Sequence, residues 1–114
     1  MKMYGIVNCS TIKKARDWLE AEGKAYEFHD YKKQGVPAER LDQWLALHGW
    51  QKVLNRQGTT WRKLSPEQQA SVVDNASAKA LLLLQPSMIK RPVLEVGNAV
   101  LLGFDETAYR EATA

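Results

Sequence analysis

Lys2-Met3-Tyr4-Gly5-Ile6-Val7-Asn8-Cys9-Ser10-Thr11-Ile12-Lys13-Lys14-Ala15-Arg16-Asp17-Trp18-Leu19 changes its hydrophobic period halfway along, and that change decides the fold class. Lys2 to Val7 is rich in β-branched and aromatic residues and ends at the polar pair Asn8-Cys9, which reads as a strand. From Ser10 onward Ile12, Ala15 and Leu19 recur at i, i+3 and i+7, while Lys13, Lys14, Arg16, Asp17 and Glu20 point elsewhere. This is an amphipathic helix, with Ser10 or Thr11 as N-cap and Gly23 as stop. Tyr26 to Tyr31 supplies a second strand after a short connection. Strand, helix and strand so close together require parallel pairing and a right-handed crossover.

Working outward, the middle of the chain is helical. Pro37 opens a helix carrying Leu41, Trp44, Leu45 and His48, which Gly49 stops. Ser65-Pro66-Glu67-Gln68 has a cap, a proline in the first turn and an acidic start, so a further helix begins there. Asn75 to Leu84 reads as another, with Ala76, Ala80, Leu83 and Leu84 on its buried side. Between them lies a polar loop, Asn55-Arg56-Gln57-Gly58-Thr59-Thr60-Trp61-Arg62-Lys63. After Pro86, Val93–Val96 and Val100–Leu102 flank Gly97-Asn98, an antiparallel hairpin signal, and Asp105 caps a terminal helix. The expected class is α/β: a thioredoxin-like mixed sheet, β-α-β then β-β-α, with a helical insertion. One domain is expected, its core formed by residues 1–32 and 86–114 and its insertion by about 37–85.

Composition narrows the function classes. A chain of 114 residues with 45% hydrophobic and 25% charged residues buries a core without staples. It holds one cysteine, which excludes an internal disulfide and a self-contained dithiol centre. With two histidines for company, that thiol makes a cysteine–histidine zinc site hard to assemble, so no metal is expected. A net charge of +3 admits an anionic ligand but lacks the dense basic stripe of a nucleic-acid binder. Ala80–Leu84, the longest apolar run, is too short to span a membrane. The N-terminus lacks the regions of a signal peptide, so the expected compartment is the cytoplasm.

The chemistry gathers around Cys9. A thiol between a strand end and the first turn of a helix meets unpaired N–H groups and the positive end of the helix dipole. Such a position moves a thiol from an ordinary pKa of ~8.5 toward neutrality. A lone cysteine is more often a small buried hydrophobe, but Asn8, Ser10 and Thr11 make these surroundings polar. Lys13 and Lys14, one turn along, add positive field. Ile89-Lys90-Arg91-Pro92-Val93 is the second feature: a proline opening a strand, cis or trans, preceded by an arginine able to clamp a carboxylate. Arg56 is the third, read either as part of an anion-binding loop or as a solvated charge.

These stretches together carry a resemblance. Tyr4-Gly5, Cys9, Lys13-Lys14-Ala15-Arg16 and Trp18-Leu19, with Arg56-Gln57-Gly58-Thr59-Thr60-Trp61-Arg62-Lys63-Leu64 and Ile89-Lys90-Arg91-Pro92, resemble the ArsC/Spx family of arsenate reductase-like proteins, its YffB-like branch in particular. The resemblance runs from Tyr4 to about Phe104. It implies that Cys9 is a nucleophilic thiol, that Pro92 matches the family's cis-proline and that Arg91 and, approximately, Arg56 match oxyanion-binding arginines. It implies glutathione as co-substrate, glutathione or a glutaredoxin as partner, and a small oxyanion or a disulfide as substrate, with no bound cofactor. Lys13 stands where arsenate reductases carry an arginine, and a lysine is a point charge rather than a bidentate fork. The arginine expected after the hairpin is absent from Leu101-Leu102-Gly103-Phe104-Asp105, so arsenate is the weaker candidate. Ile12 replaces the second cysteine of many Spx regulators. The alternative implied function is a non-catalytic Spx-like adaptor that binds a protein such as RNA polymerase.

Overall fold

β1 (Lys2–Gly5), β2 (Glu27–Asp30), β3 (Val93–Val96) and β4 (Ala99–Leu102) form one sheet in the order β2-β1-β3-β4. β1 and β2 run parallel, joined through α1 (Ser10–Ala21), and Tyr4 lies opposite His29. β1 pairs antiparallel with β3, and β3 with β4, through the hairpin whose Gly97 takes φ 57°. A left-handed backbone there is what a two-residue hairpin loop requires. The expected strand-helix-strand and hairpin are therefore present, with β2 ending one residue before Tyr31.

The computed structural model describes all 114 residues, and they divide into two compact units, Met1–Gly35 with Arg91–Ala114, and Val36–Lys90. In the first unit, strand alternation sends Met3 and Leu94 to one sheet face, where they pack with Ile12, Ala15 and Leu19 of α1 and with Tyr109. Tyr109 comes from α8 (Glu106–Thr113), whose N-cap Asp105 accepts a hydrogen bond from Thr107 N as expected. Its ring meets Phe104 edge-on at 4.9 Å, and its hydroxyl donates to Gly103 O. Gly5 matters because a Cβ there would overlap Ile12 Cδ1. The missing side chain lets α1 lie close on β1, which fixes the turn carrying Cys9.

The opposite sheet face, which also carries the buried Val93, holds several polar side chains. Tyr4 Oη donates to Glu95 Oε1 at 2.7 Å, and the Tyr4 and His29 rings lie 5.1 Å apart. His29 is buried; its Nε2–H donates to Gly35 O at 2.8 Å. Tyr31, in a single-turn helix α2 (Tyr31–Gln34), is buried too, and that burial pushes its hydroxyl pKa up.

The second unit consists of α3 (Ala38–His48), α4 (Trp50–Val53), α5 (Thr59–Arg62), α6 (Pro66–Ala70) and α7 (Asn75–Leu84), with a 3-10 turn at Pro86–Met88. Leu41, Trp44, Leu45, Val53, Leu54, Val72, Ala78, Leu82, Met88 and Ile89 are its buried hydrophobics. α6 and α7 each begin with a capping box, built on Ser65 and Gln68 and on Asp74 and Ser77. Two expectations change here. α7 buries Ala78 and Leu82, whereas Ala76, Ala80, Leu83 and Leu84 are exposed. A run of five apolar residues has no polar face to set its phase, so periodicity misplaces the stripe. The expected loop 55–63 contains α5, preceded by α4, and Leu54 bridges Ile89. Residues 86–90 belong to this unit, tied by that bridge and by Lys90 N donating to Val53 O at 2.8 Å.

Candidate active site

Cys9 is itself the N-cap of α1, with extended backbone dihedrals (φ −148°, ψ 126°). Ser10 and Thr11, expected as caps, are already helical, because seating Ile12 against Gly5 starts the helix one residue sooner. Cys9 O accepts the first helical hydrogen bond from Lys13 N at 3.0 Å, and Cys9 N donates to Val7 O at 2.9 Å. The thiol makes no cap hydrogen bond, and the N–H groups of Ser10, Thr11 and Ile12 have no acceptor. These are the orphan donors of a helix start, and they favour an anion. α1 has no acid in its first turn to neutralise that end. Cys9 is free and half-buried, resting against the core around Met3 and Ile12. Asn8, just before it, is exposed.

Arg91–Pro92 is a cis peptide, as the resemblance implies. Register places it at the thiol's end of the sheet: Tyr4 pairs with Val93, so the next position outward sets Gly5 beside Pro92. Gly103 N donates to Pro92 O at 2.8 Å, which holds the buried proline from the β4 side. Arg91 is half-buried and has no acidic partner. The first unit therefore gathers Cys9, the amides of Ser10, Thr11 and Ile12, and Arg91-Pro92 at one sheet end. Such a place can hold a thiolate and accept a carboxylate or oxyanion.

Two expected ligands are placed otherwise. Lys13 is exposed, and its Nζ lies 2.8 Å from Asp17 Oδ2, one turn further along α1. Arg56 belongs to the second unit, where its guanidinium lies 5.9 Å from the Trp50 ring and meets no carboxylate. Asp17 was not singled out from the sequence, although its i+4 spacing from Lys13 was the available signal. No helix is long and apolar enough to cross a membrane, and no cluster of three or more His, Cys, Asp or Glu side chains could hold a metal ion.

A four-stranded mixed sheet with a thiol at the head of the first helix and a cis-proline opening the third strand defines a thioredoxin-like α/β protein. More narrowly, the chain belongs to the ArsC family, whose family model matches residues 4–112. The solved structure of the YffB protein is 56% identical, with a TM-score of 0.94 over 99% of this chain and 98% of that one. An arsenate reductase (ArsC) related protein from Brucella melitensis is 52% identical, with a TM-score of 0.77 over 96% and 91% of the two chains. A global transcriptional regulator Spx of Streptococcus agalactiae is 27% identical, covering 90% of this chain and 75% of its own.

Proposed function

We propose that this protein is a glutathione-linked thiol oxidoreductase of the cytoplasm in which the Cys9 thiolate is the nucleophile. Attack on a disulfide R–S–S–R′ forms Cys9–S–S–R and expels R′–S⁻. The thiolate of glutathione or of a glutaredoxin then attacks the R sulfur, forms its own disulfide with R and releases Cys9 as thiolate. The second thiol must come from outside, because the chain has one cysteine. Arg91, at the thiol's end of the sheet, binds the carboxylates of glutathione or a small oxyanion. The observation that carries this reading is the N-cap position of Cys9, with three helix-head amides unclaimed beside it. Oxidised glutathione should give a single adduct on Cys9 by mass spectrometry, which glutaredoxin with glutathione reverses. A protein that forms no such adduct while remaining folded contradicts the proposal.

A second reading, an Spx-like adaptor, is favoured by the Spx relative and by Arg56, Arg62 and Lys63, none of which meets a carboxylate. Under it, Cys9→Ser leaves partner binding intact and oxidised glutathione has no effect on it.

A further inference from the structure

Building on the thiol reading of Cys9, we propose that Asp17 sets the substrate class of the site: it draws Lys13 away from the thiol and so favours neutral sulfur electrophiles over multiply charged oxyanions. Side chains on a helix lean toward its N-terminus, so an unpaired Lys13 would extend over the first turn, where Cys9 and the free amides lie. Its Nζ is found 2.8 Å from Asp17 Oδ2 instead. Asp17 starts about 6 Å further along the axis, on the side away from the thiol. Asp17's hydrogen bond and charge, with a smaller push from Glu20, hold the Lys13 ammonium above its ordinary value.

Helix stability does not account for the pair. An acid placed C-terminal to its base is the weaker of the two i,i+4 orientations, and a base near the helix start opposes the macrodipole. The neighbouring charges are balanced in the same way. A depression of 270 Å³ along this flank is lined by Val7, Ile12, Lys13, Arg16, Asp17 and Glu20, two bases against two acids. Arg16 is also occupied: its Nε donates to Tyr26 Oη at 2.8 Å, and its guanidinium lies 4.4 Å from the Phe28 ring. Lys14 has no carboxylate partner, but it projects about 100° further round α1. Arg91 is left as the unpaired cation where β3 begins. An oxyanion with several charges needs several cations to offset its lost hydration, whereas a disulfide needs none at the attacked sulfur.

The test compares two alkylating probes on the full chain, iodoacetate (an anion) and iodoacetamide (neutral). Their rate ratio at Cys9 cancels the thiolate fraction and reads the local field. Asp17→Asn should raise the iodoacetate-to-iodoacetamide ratio about twofold at low salt, a modest change because the pair is exposed and screened. The double variant Lys13→Gln/Asp17→Asn should return the ratio to the wild-type value. An unchanged ratio in Asp17→Asn, or a rise that survives in the double variant, overturns the assignment. Failure of the underlying thiol reading shows separately, as wild-type Cys9 reacting with iodoacetamide no faster than free cysteine.

Discussion

The two units solve different problems with the same chain. The first, Met1–Gly35 with Arg91–Ala114, has nine Lys/Arg against nine Asp/Glu, whereas Val36–Lys90 has seven against four and so carries the whole net charge of +3. The first is held by strand pairing across distant sequence, and the second by short helices started by local caps. The thiol thus sits on a charge-balanced framework whose local positive field comes from backbone amides and one arginine. A concentration of basic side chains is not what makes that end of the sheet attractive to an anion.

Removing Trp44, fully buried in the second unit, should give the largest effect. Trp44→Ala is expected to cost about 3–5 kcal/mol, read from the urea midpoint; a loss below about 1 kcal/mol would mean that unit does not depend on a packed core. Gly5→Ala probes the first unit at the contact that seats α1. Its Cβ meets Ile12 Cδ1, so about 1–3 kcal/mol should be lost. Ile12→Val, which lacks that atom, should recover part of the loss in the same background. A Gly5→Ala protein as stable as wild type would show that α1 seats elsewhere.

Smaller effects belong to the caps. Ser65→Ala removes one side of the α6 capping box and should cost about 1 kcal/mol. Asp74 caps α7, and hydrogen bonds from the Ser77 backbone and side chain hold its carboxyl below the ordinary carboxylate value. A carboxyl depressed in the folded state adds stability above its unfolded pKa, and that stability is lost as pH falls through the folded value. Asp74→Asn should remove this contribution, so wild type and variant should converge in stability at acid pH. A difference that stays constant down to strong acid would contradict the cap assignment.

The same contrast explains what the sequence revealed. The β-α-β opening and the hairpin were legible because period-2 and period-3.6 patterns meet at polar residues, and Gly97-Asn98 marks its turn. The Ser65 cap was legible because caps are local chemistry, whereas the Asp74–Ser77 box that starts α7 was not singled out. The buried face of α7 was not, since Ala80 to Leu84 offers no contrast between faces. α4 and α5 were missed because four-residue helices have little propensity of their own; the Leu54–Ile89 bridge, formed by residues far apart in sequence, ties this stretch together. Cys9 was placed correctly at the helix start, but its role as the cap depended on how closely Gly5 lets Ile12 approach. Lys13 was read by its charge alone, and the structure shows that charge shared with Asp17.

The central claim, that Cys9 is an activated thiol, is tested most directly by its rate of alkylation by iodoacetamide at about pH 6.5, measured beside free cysteine. A sulfur at the head of α1, beside the unclaimed amides of Ser10, Thr11 and Ile12, predicts faster reaction than free cysteine under those conditions. A rate equal to or below that of free cysteine in the folded protein would contradict the account.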